Sequence, residues 1–222
     1  TVPTKQTLRN LNSKNIFKKK LVYFLPDPIL LNLQKIKKSK NSYGKYILNI
    51  GRLTKQKNQK LLIMSFKKIS LKYKNLKLLI LGEGEKLIEL KNLVSKLNMT
   101  SKVFFLGHIK NPLTYVYNSL CIIVSSLWED PGFVMIEGAA YKKTVICSNC
   151  PNGPKEFYEN GKNGFLFKNN SEEGLVKSFE RFINTEKKII NNKIKKNYIK
   201  SKKYSYDSHS KLLNGLLNKY EK

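Results

Sequence analysis

A doubly wound, parallel α/β sheet is the fold class this chain predicts, and three observations predict it. Short, wholly apolar or nearly apolar runs such as Leu120 to Val124 (LCIIV) and Leu76 to Leu81 (LKLLIL) read as strands buried on both faces. Stretches with helical spacing alternate with them in βαβα order, which implies right-handed crossovers and parallel pairing. The strands run out into glycine or polar residues, and it is outside the carboxyl ends of its strands that an open α/β sheet binds ligands.

Residues 1 to 20 are polar and basic with little periodicity, and they read as a tail or as the end of something that precedes. Leu21 to Leu25 (LVYFL) is extended and runs into Pro26-Asp27-Pro28, which stops any helix and sets a rigid turn. Gln34 to Gly44 is a charged, Ser/Asn-rich connector. The regular alternation begins at Lys45. Tyr46 to Ile50 is a strand ending at Gly51-Arg52, and Asn58 to Tyr73 carries Leu62, Phe66, Ile69 and Tyr73 on one helix face. Leu76 to Leu81 is the second strand, ending at Gly82-Glu83-Gly84. A helix over Glu85 to Leu97 follows, with Leu87, Leu90, Leu93, Val94 and Leu97 on its buried side. Val103 to Leu106 is the third strand, ending at Gly107-His108, and a short helix begins near Pro112. Leu120 to Val124 is the fourth strand, Thr144 to Cys147 the fifth and Gly164 to Phe167 a short sixth.

Three helices complete the chain. Ser171 to Ile183 is amphipathic through Leu175, Val176, Phe179 and Phe182, with Ser171 as N-cap. Lys187 to Lys203 is very basic and interleaved with Ile189, Ile190, Ile194, Tyr198 and Ile199. It reads either as a helix lying on anionic lipid or as a solvated helix docked by its Ile face. Tyr204 to Tyr220 closes the chain through Leu212, Leu213, Leu216 and Leu217.

The chemistry is concentrated in Ser125 to Glu137 (SSLWEDPGFVMIE), where a loop leaves the fourth strand and enters a helix. Pro131 suits a first helical turn, and Gly132 lets the backbone approach a ligand. The unpaired amides of Gly132, Phe133 and Val134, with the helix dipole behind them, suit a phosphate. Glu137 lies about one turn in, where a carboxylate accepts from sugar hydroxyls, and Glu129 faces the same space from the loop. A plainer reading makes Glu129 a solvated loop residue and Glu137 a surface helix residue, since acidic side chains near helix starts are favoured by the dipole alone. Four strand ends delivering small or polar residues to one edge favour the site.

The 222 residues suffice for one good core, and 41% hydrophobic with 11% aromatic residues indicates a globular protein. The formal charge of +28, from 43 Lys+Arg against 15 Asp+Glu, fits anionic partners or a compositional habit. It is almost all lysine and spread along the chain, so nucleic-acid binding rests on charge alone and is not expected. Cys121, Cys147 and Cys150 are an odd set without a secretory signal, which indicates a reducing, cytoplasmic compartment. Cys147 and Cys150 form a C-x-x-C without a second pair, and His108 and His209 are distant in sequence, so no metal site is expected. No apolar segment approaches the ~20 residues that span a bilayer.

In order and separation, YILNIGRLTKQKN, LLILGEGE, VFFLGH, SSLWEDPGFVMIEGAA and GPKEFYENGKNGFLF resemble the nucleotide-binding, C-terminal half of retaining glycosyltransferases of family four, which have the GT-B fold of two facing Rossmann-like domains. The resemblance implies a donor-binding domain over residues 45–184. Residues 1–44 would end an acceptor-binding N-terminal domain and form its linker, and 185–222 would be basic C-terminal helices. It implies that Arg52 and Lys57 hold the donor diphosphate, that Gly51 keeps that turn open, and that Glu129 faces the donor sugar. Gly132, Phe133 and Val134 would supply backbone donors, Glu137 would hold the ribose, and Gly107, His108 and Ile109 would lie near the base. Glu129, Arg52 and Lys57 are thus the implied catalytic set. Gly153-Pro154-Lys155-Glu156 resembles a variant found in enzymes of bacterial surface polysaccharide assembly, which usually take UDP-sugars.

The implied activity is transfer of a sugar, with retention, from a nucleotide-sugar, a UDP-sugar by that variant, to a glycan or lipid-linked acceptor in polysaccharide or lipopolysaccharide biosynthesis. No D-x-D is present, so no metal or other cofactor is expected. The protein would be cytoplasmic and peripheral on the inner face of the plasma membrane, with the anionic membrane surface as a partner. At most the last strand of the acceptor domain is expected in this chain, which would leave a separate polypeptide or a longer chain to supply the rest. The alternative is a non-catalytic donor-half subunit that needs a partner.

Overall fold

The computed structural model describes residues 1–16, 21–30 and 42–219. Most of the connector expected over Gln34 to Gly44 lies outside them. Six strands, β1 (Tyr46–Ile50), β2 (Lys77–Leu81), β3 (Val103–Phe105), β4 (Cys121–Val124), β5 (Val145–Ser148) and β6 (Phe165–Phe167), form one sheet in the order β3-β2-β1-β4-β5-β6. Every pairing is parallel, with Leu48 opposite both Leu79 and Ile122. Strand order reverses direction between β1 and β4, the switch point at which a doubly wound sheet opens a crevice.

The central strands are apolar on both faces because both are covered. On one face α2 (Gln59–Lys72), α3 (Leu87–Lys96) and α7 (Glu172–Ile183) bury Leu62, Phe66, Leu90, Val94 and Phe179 against Ile47, Leu78 and Ile123. On the other, α4 (Leu113–Asn118), α5 (Phe133–Ala140) and α6 (Pro154–Phe157) bury Val116, Ile136 and Phe157 against Leu48, Leu79 and Ile122. Ser171 caps α7 as expected, its Oγ accepting from Gly174 N at 3.0 Å.

Two expectations need correction and one needs refinement. Residues 1 to 20 are not simply a tail: α1 (Lys5–Ser13) is a helix with Thr4 as N-cap, whose Oγ1 accepts from Thr7 N at 3.1 Å. Only Leu8 and Leu11 give it apolar contact, both half-buried, and among the described residues none of its own is fully buried, so the apolar pattern is too short to read. Pro131 does not lie in a first helical turn. The Asp130–Pro131 peptide is cis, Gly132 is the N-cap at φ +99°, and α5 starts at Phe133; a left-handed residue interrupts helical geometry, and glycine adopts it at little cost. The basic segment forms α8 (Lys187–Ser201), which packs on α5, and Ile190 is half-buried against the core as a docked helix requires, but polar residues share the docked surface. Asn197 and Ser201 are its buried residues, while Ile189 and Ile199 stay exposed. Asn197 fits there because its Nδ2 donates to Asn163 O at 2.7 Å. The last helix, α9 (Tyr206–Leu217), leaves Leu212 and Leu217 exposed.

Candidate active site

The strand ends meet along one edge, and backbone hydrogen bonds tie them together. Gly51 N donates to Leu81 O at 3.0 Å, Gly82 N to Gly107 O at 2.7 Å, and Leu53 N to Glu83 O at 2.8 Å. A Cβ on Gly82 would stand 2.0 Å from Gly51 O, so only glycine permits this approach of the β1 and β2 loops. His108 N donates to Glu83 Oε1 at 3.2 Å, which joins the β3 loop to the same row.

The loop after β4 is pinned from several sides. Leu127 N donates to Gln56 O at 2.8 Å, Gln56 Nε2 to Trp128 O at 2.9 Å, Asn169 Nδ2 to Leu127 O at 2.9 Å and Glu129 N to Pro151 O at 3.2 Å. Ser125 Oγ donates to Lys57 O at 2.9 Å, and Ser148 Oγ to Ser126 O at 2.5 Å. Contacts from β5 and from the loops after β1, β5 and β6 therefore fix the backbone that leads up to Glu129.

Within that frame Lys57 and Glu129 form an ion pair at 2.6 Å, with side chains 20% and 7% exposed. Ser126 Oγ donates to the same Glu129 Oε1 at 2.5 Å. The stem of Lys57 lies where a Cβ on Gly51 would touch it at 3.5 Å, and the Glu129 stem lies equally close to Gly132. Gly51, Lys57, Glu129 and Gly132 thus share one place, and the sequence separation of 72 between the charged partners is closed by the β1/β4 pairing. Arg52 is exposed beside them, its carbonyl accepting from Gln59 Nε2 at 3.0 Å. Among the described residues no side chain caps α5, so the first-turn amides at Phe133 and Val134 remain directed at this space.

A cavity of about 420 Å³ opens at the switch point, bounded by Ile50, Ile122, Val134, Glu137, Lys110 and Tyr141. Glu137 presents an exposed side chain to it, while the protein atoms crowding the cavity wall raise its carboxyl pKa above the ordinary value by desolvation. Val134 and Glu137 of α5 line the cavity, while Gly132, the N-cap of the same helix, touches the stem of Glu129.

Among the residues expected from sequence, the structure brings Gly51, Lys57, Glu129, Gly132, Val134 and Glu137 to one edge. Gly107, His108 and Ile109 lead toward the cavity, but its lining on that side begins at Lys110. Phe133 points its ring outward, 49% exposed. Sequence reading missed Ser126, Gln56, Lys110 and Tyr141. Ser126 carried a signal, a second serine directly after an apolar strand; the others are ordinary residues whose place depends on tertiary contact. Cys147 and Cys150 are free, buried thiols, and burial first, then the neighbouring charges, pushes Cys147 well above its ordinary pKa. Among the described residues no three His, Cys, Asp or Glu side chains cluster as metal ligands.

A doubly wound sheet with this crevice is the architecture of one lobe of a GT-B glycosyltransferase, and solved structures similar to this chain are of that kind. TarM of S. aureus, crystallised with UDP and alpha-GlcNAc-glycerol, superposes with a TM-score of 0.78 at 23% identity over 98% of this chain and 42% of its own. Sucrose-phosphate synthase of Thermosynechococcus elongatus superposes with a TM-score of 0.81 at 17% identity over 99% of this chain and 57% of its own. These likenesses establish the fold. The chain belongs to the family described as glycosyl transferases group 1, whose model matches residues 32–201. An uncharacterized glycosyltransferase of Methanocaldococcus jannaschii is 42% identical over 49% of this chain and 27% of its own length. The N-acetylgalactosamine-N,N'-diacetylbacillosaminyl-diphospho-undecaprenol 4-alpha-N-acetylgalactosaminyltransferase of Campylobacter jejuni is 31% identical over 68% of this chain and 41% of its own. The chain spans less than half the length of these curated relatives.

Proposed function

We propose that this chain is the donor-binding part of a retaining glycosyltransferase, taking a UDP-sugar without a metal and serving cell-envelope glycan assembly. The observation that carries the reading is the juxtaposition at the switch point: the Lys57–Glu129 pair beside Gly132 at the start of α5, and Glu137 farther along the same helix, lining a cavity. The ribose hydroxyls donate to Glu137. The diphosphate lies over the α5 amides and takes charge-assisted bonds from Arg52 and Lys57, which offset the negative charge that grows as the sugar–phosphate bond breaks. Glu129, released from part of its bond with Lys57, faces the sugar and stabilises positive charge on the anomeric carbon. Retention follows if the departing phosphate accepts the acceptor's proton on the face that the acceptor attacks.

Support for the acceptor class comes from relatives: their names give an undecaprenol-linked glycan, poly(ribitol-phosphate) and lipopolysaccharide core as objects of transfer. A lipid-linked acceptor places the work at the cytoplasmic face of the membrane, where the chain's positive charge suits anionic lipid. No helix among the described residues is long and apolar enough to cross a membrane.

Titration calorimetry with UDP, GDP and ADP tests the donor site. Selective binding of UDP, weakened in both Arg52→Ala and Glu137→Ala, is expected. Equal binding of all three by wild type and variants refutes the site. Binding of UDP with turnover only after a second polypeptide is added identifies the donor-half subunit instead.

A further inference from the structure

We propose that α1 is a latch on the loop that carries Glu129, with Thr7 and Glu156 as positioning residues; the inference rests on the donor-site reading above. Thr7 Oγ1 donates to Asp130 Oδ2 at 3.1 Å, and Asp130 is the residue directly after Glu129. The amides of Lys5 and Gln6, at the first turn of α1, donate to the two carboxylate oxygens of Glu156 at 3.4 and 3.3 Å. Glu156 stands on α6, and α6 is in contact with the same loop: a Cβ on Gly153, at its start, would lie 2.0 Å from Pro131 O. Asp130 and Glu156 therefore form one acidic surface, and they meet the end of a helix where amides are unpaired and the dipole is positive.

The rest of the N-terminal segment is anchored independently of this contact. Val2 and Leu25 are buried, and Val2 N donates to Tyr23 O and Leu25 N to Val2 O, both at 2.9 Å. Leu30 N donates to Tyr204 O at 2.9 Å, which ties the segment to the turn before α9. Asp27, in the turn between them, has its carboxyl pKa raised by burial first and then by the charge of nearby Asp130. The backbone thus delivers α1 to the loop, while among the described residues no apolar side chain of α1 is buried. With Leu8 and Leu11 only half-buried, the contact opens without exposing a fully buried core residue of α1. Closed, it fixes Asp130 and thereby the backbone on the open side of Glu129, the side that Pro151 and Gln56 do not hold.

The test is hydrogen exchange of the full chain over residues 126–136, with calorimetric titration of UDP. Thr7→Val removes the hydroxyl at constant shape, Glu156→Gln removes the charge that the α1 amides meet, and Thr7→Ser restores the bond. Loop exchange about fivefold faster in the first two variants is expected, with wild-type exchange in Thr7→Ser. UDP affinity should fall about three- to tenfold while Tm stays within about 2 °C, which a merely structural role would not produce. Unchanged loop exchange in Thr7→Val overturns the proposal, as does faster exchange with unchanged UDP affinity. If Glu156→Gln fails to fold, Thr7→Val alone decides. A wild-type chain that binds none of UDP, GDP or ADP refutes the donor reading, and loop exchange then judges the latch separately.

Discussion

Replacing Lys57 by methionine removes one partner of the Lys57–Glu129 pair and keeps the length of the stem. At 2.6 Å and an effective dielectric near 20, the gross attraction is about 6 kcal/mol. Desolvation of both groups offsets much of that, and breaking a wholly buried pair costs about 3–5 kcal/mol, because an uncompensated charge stays behind. Lys57 keeps 20% of its side chain exposed and Glu129 retains the Ser126 hydroxyl, so water and one donor recover part of the loss. The expected cost is about 2–3 kcal/mol, or a fall in Tm of roughly 4–12 °C for a chain of this size. Glu129→Gln should cost only about 1 kcal/mol, since the amide still accepts from Ser126 and the freed ammonium reaches water. The double variant should be more stable than Lys57→Met alone. Urea unfolding of the full chain at pH 7 measures all three. A Lys57→Met cost below that of Glu129→Gln, or a double variant as unstable as the sum, refutes the account. In the same proteins, UDP should bind more weakly to Lys57→Met and more tightly to Glu129→Gln, because the carboxylate competes with the diphosphate for the ammonium.

Gly82→Ala puts a Cβ 2.0 Å from Gly51 O at φ +135°, and loss of about 3 kcal/mol or more is expected, read as a lower urea midpoint with little folded protein at 37 °C. Glu137 has a folded pKa above its ordinary 4.5, so the native state holds its proton more firmly than the unfolded chain. Its contribution to stability therefore declines as pH rises from about 4.5 through the folded pKa. Glu137→Gln should raise Tm at pH 7 and leave it unchanged at pH 4, as scanning calorimetry at the two values would show; a lower Tm at pH 7 contradicts the sign. Vesicles of anionic lipid should sediment the chain at low salt and release it as salt rises, with weaker binding after Lys195, Lys196, Lys202 and Lys203 on the exposed side of α8 and its end are changed to Gln. Equal sedimentation with neutral vesicles speaks against an electrostatic surface.

The parallel sheet was legible in the sequence because each of its signals is local. Apolar runs of strand length, the helical spacing of Leu62, Phe66 and Ile69, and the glycines at 51, 82 and 107 each report what one element hides or how one turn bends. The order of those elements then leaves few topologies, and with them the edge at which Glu129 and Glu137 stand. Tertiary structure alone decided the rest. Lys57 meets Glu129 across 72 residues, and Thr7 meets Asp130 across 123; no periodicity encodes either, since each depends on how the closed sheet delivers its loops. α1 escaped because Leu8 and Leu11, both half-buried, are too few to make a readable stripe, and its bonds to Asp130 and Glu156 are polar. α8 docks with Ile190 half-buried as its pattern suggests, but Asn197, a polar residue, joins the buried face because Asn163 O is there to receive its hydrogen bond. Hydrophobic pattern records burial by apolar contact, and it carries no signal for groups buried or positioned through hydrogen bonds and charge.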